Sequence, residues 1–281
     1  MKNFARYIAG LGLLAVALMV SAQDSSLSVM FRFTTVGDSR EEPTPGKLSN
    51  QEMLWLQNTR VLARMIREMQ ADKPQALFFN GDMIYGYTAD RAVLDRQYAY
   101  WRGMVAHLME SGTYVVPVPG NHEIQVRTRS ALGREVRTAT VENENAWRAN
   151  MGDLIFNQAK WQAMTNLPAT AWSIDNAPQA GVDGITTDQR QLSYSFDVGR
   201  IHFAIINTDP AGFDDSAPVK WLEADFAAAR QRGANRFFVF GHKMAFTYVP
   251  EKLRQRNVTR TDGLDARPGV RDAFWDLIES Y

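Results

Sequence analysis

The sequence has 281 residues, long enough for one large α/β domain or two small ones, and its 45% hydrophobic content can fill a sizeable core. Its 31 Lys and Arg residues equal its 31 Asp and Glu residues, so net charge predicts no binding to nucleic acid or to an anionic membrane. No cysteine is present, which excludes disulfides, thiolate metal ligands and a cysteine nucleophile. Any metal site must therefore use oxygen and imidazole ligands.

The beginning of the chain has the features of a secretory signal peptide. Lys2 and Arg6 precede an apolar run from Ile8 to Val20, and the small residue Ala22 follows it. The apolar run is shorter than the roughly 18 to 20 residues that a membrane-spanning helix needs. We expect residues 1–22 to be cleaved and the protein to be periplasmic or secreted, with no stable membrane anchor. The alternative is that this segment is retained as an anchor.

Strands and helices alternate in the first half of the chain. Residues 29–36 (VMFRFTTV) predict a strand, and residues 49–70 carry apolar side chains at helical spacing. The unit recurs with QALFFNGD at 75–82 and a helix around 90–110. The prolines of TYVVPVP, at 113–119, indicate an irregular or edge strand. This alternation predicts an α/β architecture.

The second half predicts further strands and helices around a polar insertion. Residues 124–157 are polar and rich in arginine, with no clean strand period, which indicates a surface insertion in a single domain covering residues 23–281. We expect the arginines at 127–148 to be solvated; the alternative is that they recognise phosphate on a larger substrate. Residues 191–198 and 200–207 predict two strands joined by a tight turn at Gly199. The remaining prediction is a helix at 218–231, a strand at 236–242 and a helix from 267 to 281.

Four predicted strands end in polar motifs of related composition. These motifs are GDSR at 37–40, NGDMIYG at 80–86, PGNHE at 119–123 and FGHK at 240–243. Ligands of α/β sheets collect beyond the carboxyl ends of strands, so these ends are expected to meet. The candidate side chains are Asp38, Asp82, Tyr85, Asn121, His122 and His242. Each motif alone is a common turn, but the four together indicate a metal site.

On these motifs the sequence resembles the calcineurin-like metallophosphoesterase family, and its GDMIY is most similar to the purple acid phosphatase branch. The resemblance extends from Phe31 to the end of the chain and includes YSFDVGRIHFAIINTD. It implies an α/β fold in which two mixed β-sheets pack as a sandwich flanked by helices. It also implies a two-metal site and hydrolysis of a small phosphorylated substrate.

The resemblance assigns metal ligands position by position. Asp38 would bind the first metal, Asp82 would bridge both metals, and Asn121 and His242 would bind the second. The assignment agrees with elementary chemistry, because two cations a few ångströms apart need a shared carboxylate to screen their repulsion. His122 would be the catalytic residue that faces the leaving group.

Two further positions are assigned to substrate binding or support. Glu123 would orient the imidazole of His122. Arg40 stands where many family members have a histidine ligand, and it either binds a substrate phosphate or is a solvent-facing loop residue.

The purple acid branch completes the first metal site with a tyrosine at the spacing of Tyr85 after Asp82. A phenolate suits trivalent iron, so the resemblance implies two divalent or mixed-valence ions, iron with a second Fe, Zn or Mn. In that case Tyr85→Phe should alter the metal bound and its visible colour.

The late GHxH motif of the family does not occur in this sequence, which has four histidines in all. We therefore expect the sequence to be incomplete at its C-terminal end. His107 and His202 are expected to be packing or surface residues, and a turn role is expected for Asp209.

Three functions remain open from the sequence. The first is hydrolysis of phosphomonoesters in the manner of an acid phosphatase. The second is a phosphodiesterase or nucleotide hydrolase built on the same site. The third is an exported binding protein that has kept the scaffold without catalysis, and the oligomeric state is not predicted for any of them.

Overall fold

Eight β-strands and eight α-helices make up the part of the chain that the computed structural model describes, residues 29–248 and 262–281. Residues 1–22, for which the sequence predicts a signal peptide, lie outside these ranges. Within the two ranges, no helix combines the length and the apolar character that crossing a bilayer requires.

The bounds of these elements follow the predicted alternation. The strands are β1 (Phe33–Val36), β2 (Ala76–Asn80), β3 (Tyr114–Val118), β4 (Gln125–Arg129), β5 (Glu135–Ala139), β6 (Tyr194–Val198), β7 (Ile201–Ile205) and β8 (Arg236–Phe240). The helices are α1 (Glu52–Trp55), α2 (Thr59–Asp72), α3 (Arg91–Glu110), α4 (Asn121–Ile124), α5 (Val141–Met151), α6 (Gln158–Thr165), α7 (Val219–Gln231) and α8 (Pro268–Glu279). A short 3₁₀ helix, Leu264–Ala266, precedes α8.

The first sheet has the strand order β1-β2-β3 and is parallel throughout. The central strand β2 is almost wholly buried, as its apolar sequence ALFFN requires. Strand β3 lies at the edge, where the missing N–H of Pro117 is tolerated. Parallel strands end at the same side of a sheet, so Asp38, Asp82 and Asn121 reach one edge.

The second sheet has the order β6-β7-β8 and is mixed. Strands β6 and β7 form the predicted antiparallel hairpin, whose turn begins at Gly199 with a φ of 59°. Strand β8 adds in parallel to β7 and leads directly to His242. The two sheets therefore bring their candidate ligands from chain segments far apart in sequence.

Phenylalanines from the two sheets pack against one another and form the core of a sandwich. The ring of Phe78 lies 4.0 Å from that of Phe240 and 5.2 Å from that of Phe203. On the other face of β2, Phe79 contacts Trp101 of α3 at 5.0 Å. Full burial of each such side chain contributes about 1.5 to 3 kcal/mol. The α/β sandwich prediction is confirmed, although the first sheet is parallel rather than mixed.

The helix predicted at 49–70 is divided into α1 and α2. Leu56 ends α1 in the left-handed conformation, with a φ of 46°. Asn58 then caps α2, and its side chain accepts a hydrogen bond from the Val61 amide at 3.4 Å. Asparagine favours this cap over a helix interior because its side chain competes for backbone donors.

The polar stretch at 124–157 contains regular structure that the sequence did not predict. Strands β4 and β5 pair as an antiparallel hairpin, and α5 buries Trp147 and Met151 in the core. The residues of this hairpin are mostly exposed or half-buried, so it lacks the buried face that makes hydrophobic and polar residues alternate. That is why its sequence shows no strand period.

Candidate metal centre

Backbone segments approach closely where the strands of the first sheet end. A Cβ on Gly37 would lie 2.7 Å from the Asn80 carbonyl oxygen, and one on Gly81 would lie 2.7 Å from Gly120 Cα. The Asp38 amide donates to the Gly81 carbonyl at 3.0 Å. Gly81 also has a φ of 73°, which L side chains rarely adopt. Glycine is therefore needed at these positions to bring the motifs together.

Asp38, Asp82 and His242 place their ligand atoms within 4.8 Å of one another. Asp82 is 2% exposed, whereas Asp38 is open to solvent. Both aspartates have a positive φ, 56° for Asp38 and 54° for Asp82. Residues other than glycine adopt this left-handed conformation infrequently, and aspartate is among those that tolerate it best. The structure thus brings together three of the predicted ligands.

Asp82 lies at the centre of this cluster. Its Oδ1 is 3.2 Å from His242 Nε2, and its Oδ2 accepts a hydrogen bond from Arg40 Nε at 2.9 Å. His122 Nε2 lies 3.6 Å from the same Oδ2. Burial raises the pKa of Asp82, and the opposing charges of His242 and Arg40 reduce that effect. Because burial disfavours the charged form of Asp82, a metal cation bound next to it would stabilise the carboxylate further.

Backbone carbonyls orient both imidazoles. His242 Nδ1 donates to the Asn80 carbonyl at 2.9 Å, so its Nε2 is the nitrogen that faces Asp82. Burial disfavours its charged form, but Asp82 and the Asn80 carbonyl outweigh burial and raise the pKa of His242. His122 Nδ1 donates to the Tyr85 carbonyl at 2.5 Å. Burial, with help from the Arg40 charge, lowers the pKa of His122 to about 2.

Asn121 is oriented by a tyrosine that the sequence did not single out. Its Nδ2 donates to the hydroxyl of Tyr87, and its Oδ1 accepts no hydrogen bond from the described residues. The Tyr87 ring also packs on His122, with ring centres 3.8 Å apart. The amide oxygen of Asn121 is therefore the atom available as a ligand.

These side chains line a single cavity of about 200 Å³. Its lining residues are Asp38, Arg40, Asp82, Tyr87, Asn121, His122, Arg137, His242, Lys243, Met244 and Asp262. The cavity is strongly polar and collects residues from both sheets and from the β4–β5 hairpin.

The calcineurin-like phosphoesterase family model matches residues 31–253 of this sequence. The chain belongs to this family. The match confirms the resemblance that GDMIY and GNHE carry, and it covers all four strand-end motifs.

Two solved structures are similar to this chain. A purple acid phosphatase from yellow lupin (Lupinus luteus) seeds is 14% identical with a TM-score of 0.45, and the match covers 83% of this chain and 34% of that one. A dimetal phosphatase from Danio rerio is 13% identical with a TM-score of 0.41, covering 90% of this chain and 78% of that one. The chain thus spans about a third of the lupin protein. No curated protein matches the sequence.

Two neighbouring tyrosines, Tyr85 and Tyr87, have different positions relative to the cavity. Tyr85, predicted as a metal ligand, is not among the residues that line the cavity, and its hydroxyl accepts a hydrogen bond from Arg127 at 2.7 Å. Tyr87 lines the cavity instead. Gly86 and Tyr87 both have a φ of 53°, which turns the chain after Tyr85. A ligand role for Tyr85 stays a prediction from the sequence.

Glu123 supports the backbone and is not hydrogen-bonded to the His122 imidazole. It is fully buried, and its two oxygens accept hydrogen bonds from four amides, those of Asp82, Met83, Ile84 and Gly120, at 2.8 to 3.1 Å. Burial raises the pKa of Glu123 to about 7. The expected role in orienting His122 belongs to the Tyr85 carbonyl, and Glu123 ties the segment after β2 to the segment after β3.

Arg40 lines the cavity and is not a solvent-facing loop residue. Its side chain is 23% exposed, and its guanidinium contacts Asp82 and Glu42. Its charge is therefore largely balanced within the described residues.

Lys243, which follows His242, was not predicted to belong to the site. Its Nζ lies 2.7 Å from the buried Asp209, contacts Asp215 and lies 3.5 Å from Asp262. Asp209, expected in a turn role, is fully buried beneath this ammonium group. The sequence around Lys243 does not predict this network, because its acidic partners lie far away along the chain.

The donor set fits hard or borderline metal ions. Two carboxylates, an imidazole and an amide oxygen are the ligand types preferred by Mg²⁺, Mn²⁺, iron and Zn²⁺. Asp82 has two oxygens, both partnered by cationic or donor groups, and can be shared between two ions. The buried charge of Asp82 is the observation that supports metal binding here.

Proposed function

We propose that this protein hydrolyses phosphomonoesters at a two-metal centre held by Asp38, Asp82, Asn121 and His242. The observation that carries the proposal is the buried Asp82 carboxylate, whose ligand atoms lie within 4.8 Å of those of Asp38 and His242. Bound metal ions would supply a nucleophile at neutral pH and stabilise negative charge on the phosphate. We propose iron with Fe, Zn or Mn as the metal pair.

The residues around the metals prepare the ligand atoms. The Asn80 carbonyl fixes His242 so that Nε2 faces Asp82, and Tyr87 fixes the amide of Asn121 so that Oδ1 is free. Contacts of this kind typically change metal affinity or activity about 10- to 100-fold when removed. The His242 imidazole and the Asn121 amide are therefore already oriented with their ligand atoms toward the cavity.

His122 is the residue we assign to the leaving group. Its Nδ1 is engaged by the Tyr85 carbonyl, which leaves Nε2 as the nitrogen directed into the cavity. The pKa of about 2 and the proton on Nδ1 leave Nε2 without a proton in this structure. Negative charge on the bound phosphate ester would favour protonation of Nε2, which would then donate to the departing oxygen, and proton transfer of this type contributes about 10²- to 10⁴-fold.

The test is an Asp82→Asn variant of the purified protein, compared with Asp276→Asn, which alters an exposed acid on α8. We expect Asp82→Asn to lose bound metal and about a thousandfold in hydrolysis of an aryl phosphate, because several kcal/mol of charge stabilisation are removed. Metal content is measured by mass spectrometry. Full metal content and full activity in Asp82→Asn would exclude the proposed centre.

The choice between monoester and diester is tested with the same protein. Rates on an aryl monophosphate and on a bis-aryl phosphate are compared at equal concentration. A higher catalytic efficiency on the monoester supports the proposal, and a preference for the diester replaces it with a phosphodiesterase.

We also propose that the protein acts after export, as residues 1–22 suggest through their cationic start and apolar run. The N-terminal sequence of protein recovered from separated cell fractions tests this. A chain that begins near residue 23 in the exported fraction supports the proposal, and an intact Met1 in the cytoplasm contradicts it.

A further inference from the structure

Arg137 reaches the metal cavity from a part of the chain that carries none of the strand-end motifs. It lies on β5, in the hairpin formed within the polar stretch, and its side chain is 39% exposed. It lines the cavity together with Asp82, Asn121 and His122. A cation is therefore present at the wall of a cavity otherwise rich in carboxylates.

The guanidinium of Arg137 is held in place at two of its three nitrogens. Nε donates to Glu135 at 2.9 Å, and Nη1 donates to the Tyr87 hydroxyl at 3.0 Å. The guanidinium carbon lies 4.7 Å from the centre of the Tyr87 ring, within cation–π range. Nη2 donates to no residue within 29–248 and 262–281. The group is thus fixed by its neighbours with one nitrogen left for a ligand.

The other cations of the cavity are already neutralised by carboxylates. Lys243 contacts Asp209 and Asp215, and Arg40 contacts Asp82 and Glu42. Arg137 has one acidic partner, Glu135, which is 49% exposed and shared with Arg127. An exposed and shared partner in water balances a charge only weakly. Among Arg40, Arg137 and Lys243, the positive charge of Arg137 is therefore the one least neutralised by neighbouring carboxylates, and it is available to an incoming anion.

From this geometry we infer that Arg137 binds the terminal oxygens of the substrate phosphate and selects dianionic phosphomonoesters over monoanionic diesters. The inference rests on the proposed function. Nη2 carries two N–H groups that can donate to phosphate oxygens, and a phosphomonoester retains three terminal oxygens where a diester retains two. Tyr87 contacts Arg137, Asn121 and His122. The same side chain therefore positions the anion-binding arginine and two residues of the proposed metal site.

The test compares Arg137→Gln with Arg134→Gln. Arg134 is on the same hairpin and its exposed side chain makes no hydrogen bond or salt bridge in the described structure, so its variant controls for surface charge. The readouts are the dissociation constant for inorganic phosphate by calorimetry, and kcat and KM for an aryl monophosphate and a bis-aryl phosphate. Metal content and thermal unfolding are measured for each protein.

For Arg137→Gln we expect phosphate affinity and monoester kcat/KM to fall about 10- to 100-fold, mainly through KM, because one charged hydrogen-bonding group is lost. Diester kcat/KM should fall several-fold less. Arg137→Lys should recover part of the loss, since it keeps the charge without the planar fork. Arg134→Gln should match the wild-type protein.

Equal losses on both esters would show that Arg137 acts only by supporting Tyr87, and unchanged phosphate affinity would also overturn the inference. If the wild-type protein hydrolyses neither ester, the proposed function fails. Phosphate binding that depends on Arg137 would in that case still support the anion site, because it is measured without turnover.

Discussion

His202 and His242 both contact carboxylates, but of these two only His242 faces a cavity. His202 is fully buried, with Nδ1 2.6 Å from Asp197 and Nε2 2.9 Å from Asp225. Asp225 also accepts from Ser195 at 2.8 Å, and Asp197 accepts from Arg232 at 2.7 Å. His242, in contrast, contacts Asp82 across a cavity that includes the exposed Asp38.

The comparison shows what distinguishes a structural cluster from a ligand site built with the same residue types. Around His202, both ring nitrogens and both carboxylates have partners from β6, β7 and α7 or from the residue that follows α7. Around Asp82, both carboxylate oxygens are also partnered, by Arg40, His242 and the His122 amide, but the cluster borders a cavity and includes the exposed Asp38. A closed polar cluster stabilises a fold, whereas one that opens on a cavity can exchange a partner for a ligand.

The largest expected effect is on activity, from His242→Ala. Loss of one imidazole ligand should reduce bound metal and lower hydrolysis of an aryl phosphate about a thousandfold, because several kcal/mol of charge stabilisation depend on the metals. Stability of the metal-free protein should change little. His107→Ala, at a 71% exposed side chain on α3, is the matched control. Normal metal content in His242→Ala would show that His242 is not a metal ligand, and the His242 cluster would then not differ in function from the His202 cluster.

The converse effect is on stability, from Asp225→Ala. This change leaves His202, Ser195 and Asn176 without their shared acceptor in a buried site. We expect the free energy of unfolding in urea to fall by about 3 to 5 kcal/mol. Activity per folded molecule should remain that of the wild-type protein, and a selective loss of activity without loss of stability would contradict the structural role.

The pH dependence of stability should also report on His202. Burial disfavours its charged form, but Asp197 and Asp225 outweigh burial and raise the pKa of His202. A raised folded-state pKa gives stability that is fully present below the unfolded value of about 6.5 and is lost as pH rises through the folded value.

Unfolding free energies of the wild-type protein and His202→Gln, measured from pH 5 to pH 9, test this. The difference between the two proteins isolates His202 from Glu123, whose raised pKa also favours the fold less as pH rises. We expect the wild-type advantage to shrink with increasing pH. A wild-type advantage that instead grows between pH 5 and the unfolded pKa of about 6.5 would show that His202 is neutral in the folded protein, and a pH-independent difference would show that folding leaves its pKa unchanged.

The smallest expected effect separates the two tyrosines near the cavity. Tyr87→Phe removes the hydroxyl that binds Asn121 and Arg137, so metal affinity should fall about tenfold. Tyr85→Phe should leave metal affinity closer to the wild-type value, because its hydroxyl contacts Arg127. Metal titration and visible absorption provide the measurements. A change of colour in Tyr85→Phe alone would instead establish Tyr85 as the metal ligand that the sequence predicts.

Local sequence was sufficient to predict most of the fold and to predict that the strand ends carrying Asp38 and Asp82 lie at the same edge of the sheet. The hairpin at Gly199, the buried run ALFFN and the edge strand with Pro117 follow from turn chemistry, hydrophobic pattern and the missing proline donor. Asp38 and Asp82 could be predicted because each follows a strand and a glycine, and parallel strands deliver their ends to one side.

The tertiary structure decided which side chains complete the site. Once the chain leaves β2, the residues at Gly86 and Tyr87 turn in the left-handed region, so sequence spacing no longer tells which tyrosine faces the cavity. Arg137 lies on a hairpin whose exposed faces leave no periodic signal, and Lys243 is placed by acids more than 25 residues away. Sequence thus determined the strand ends through local backbone chemistry, and long-range packing determined the direction of the side chains that meet there.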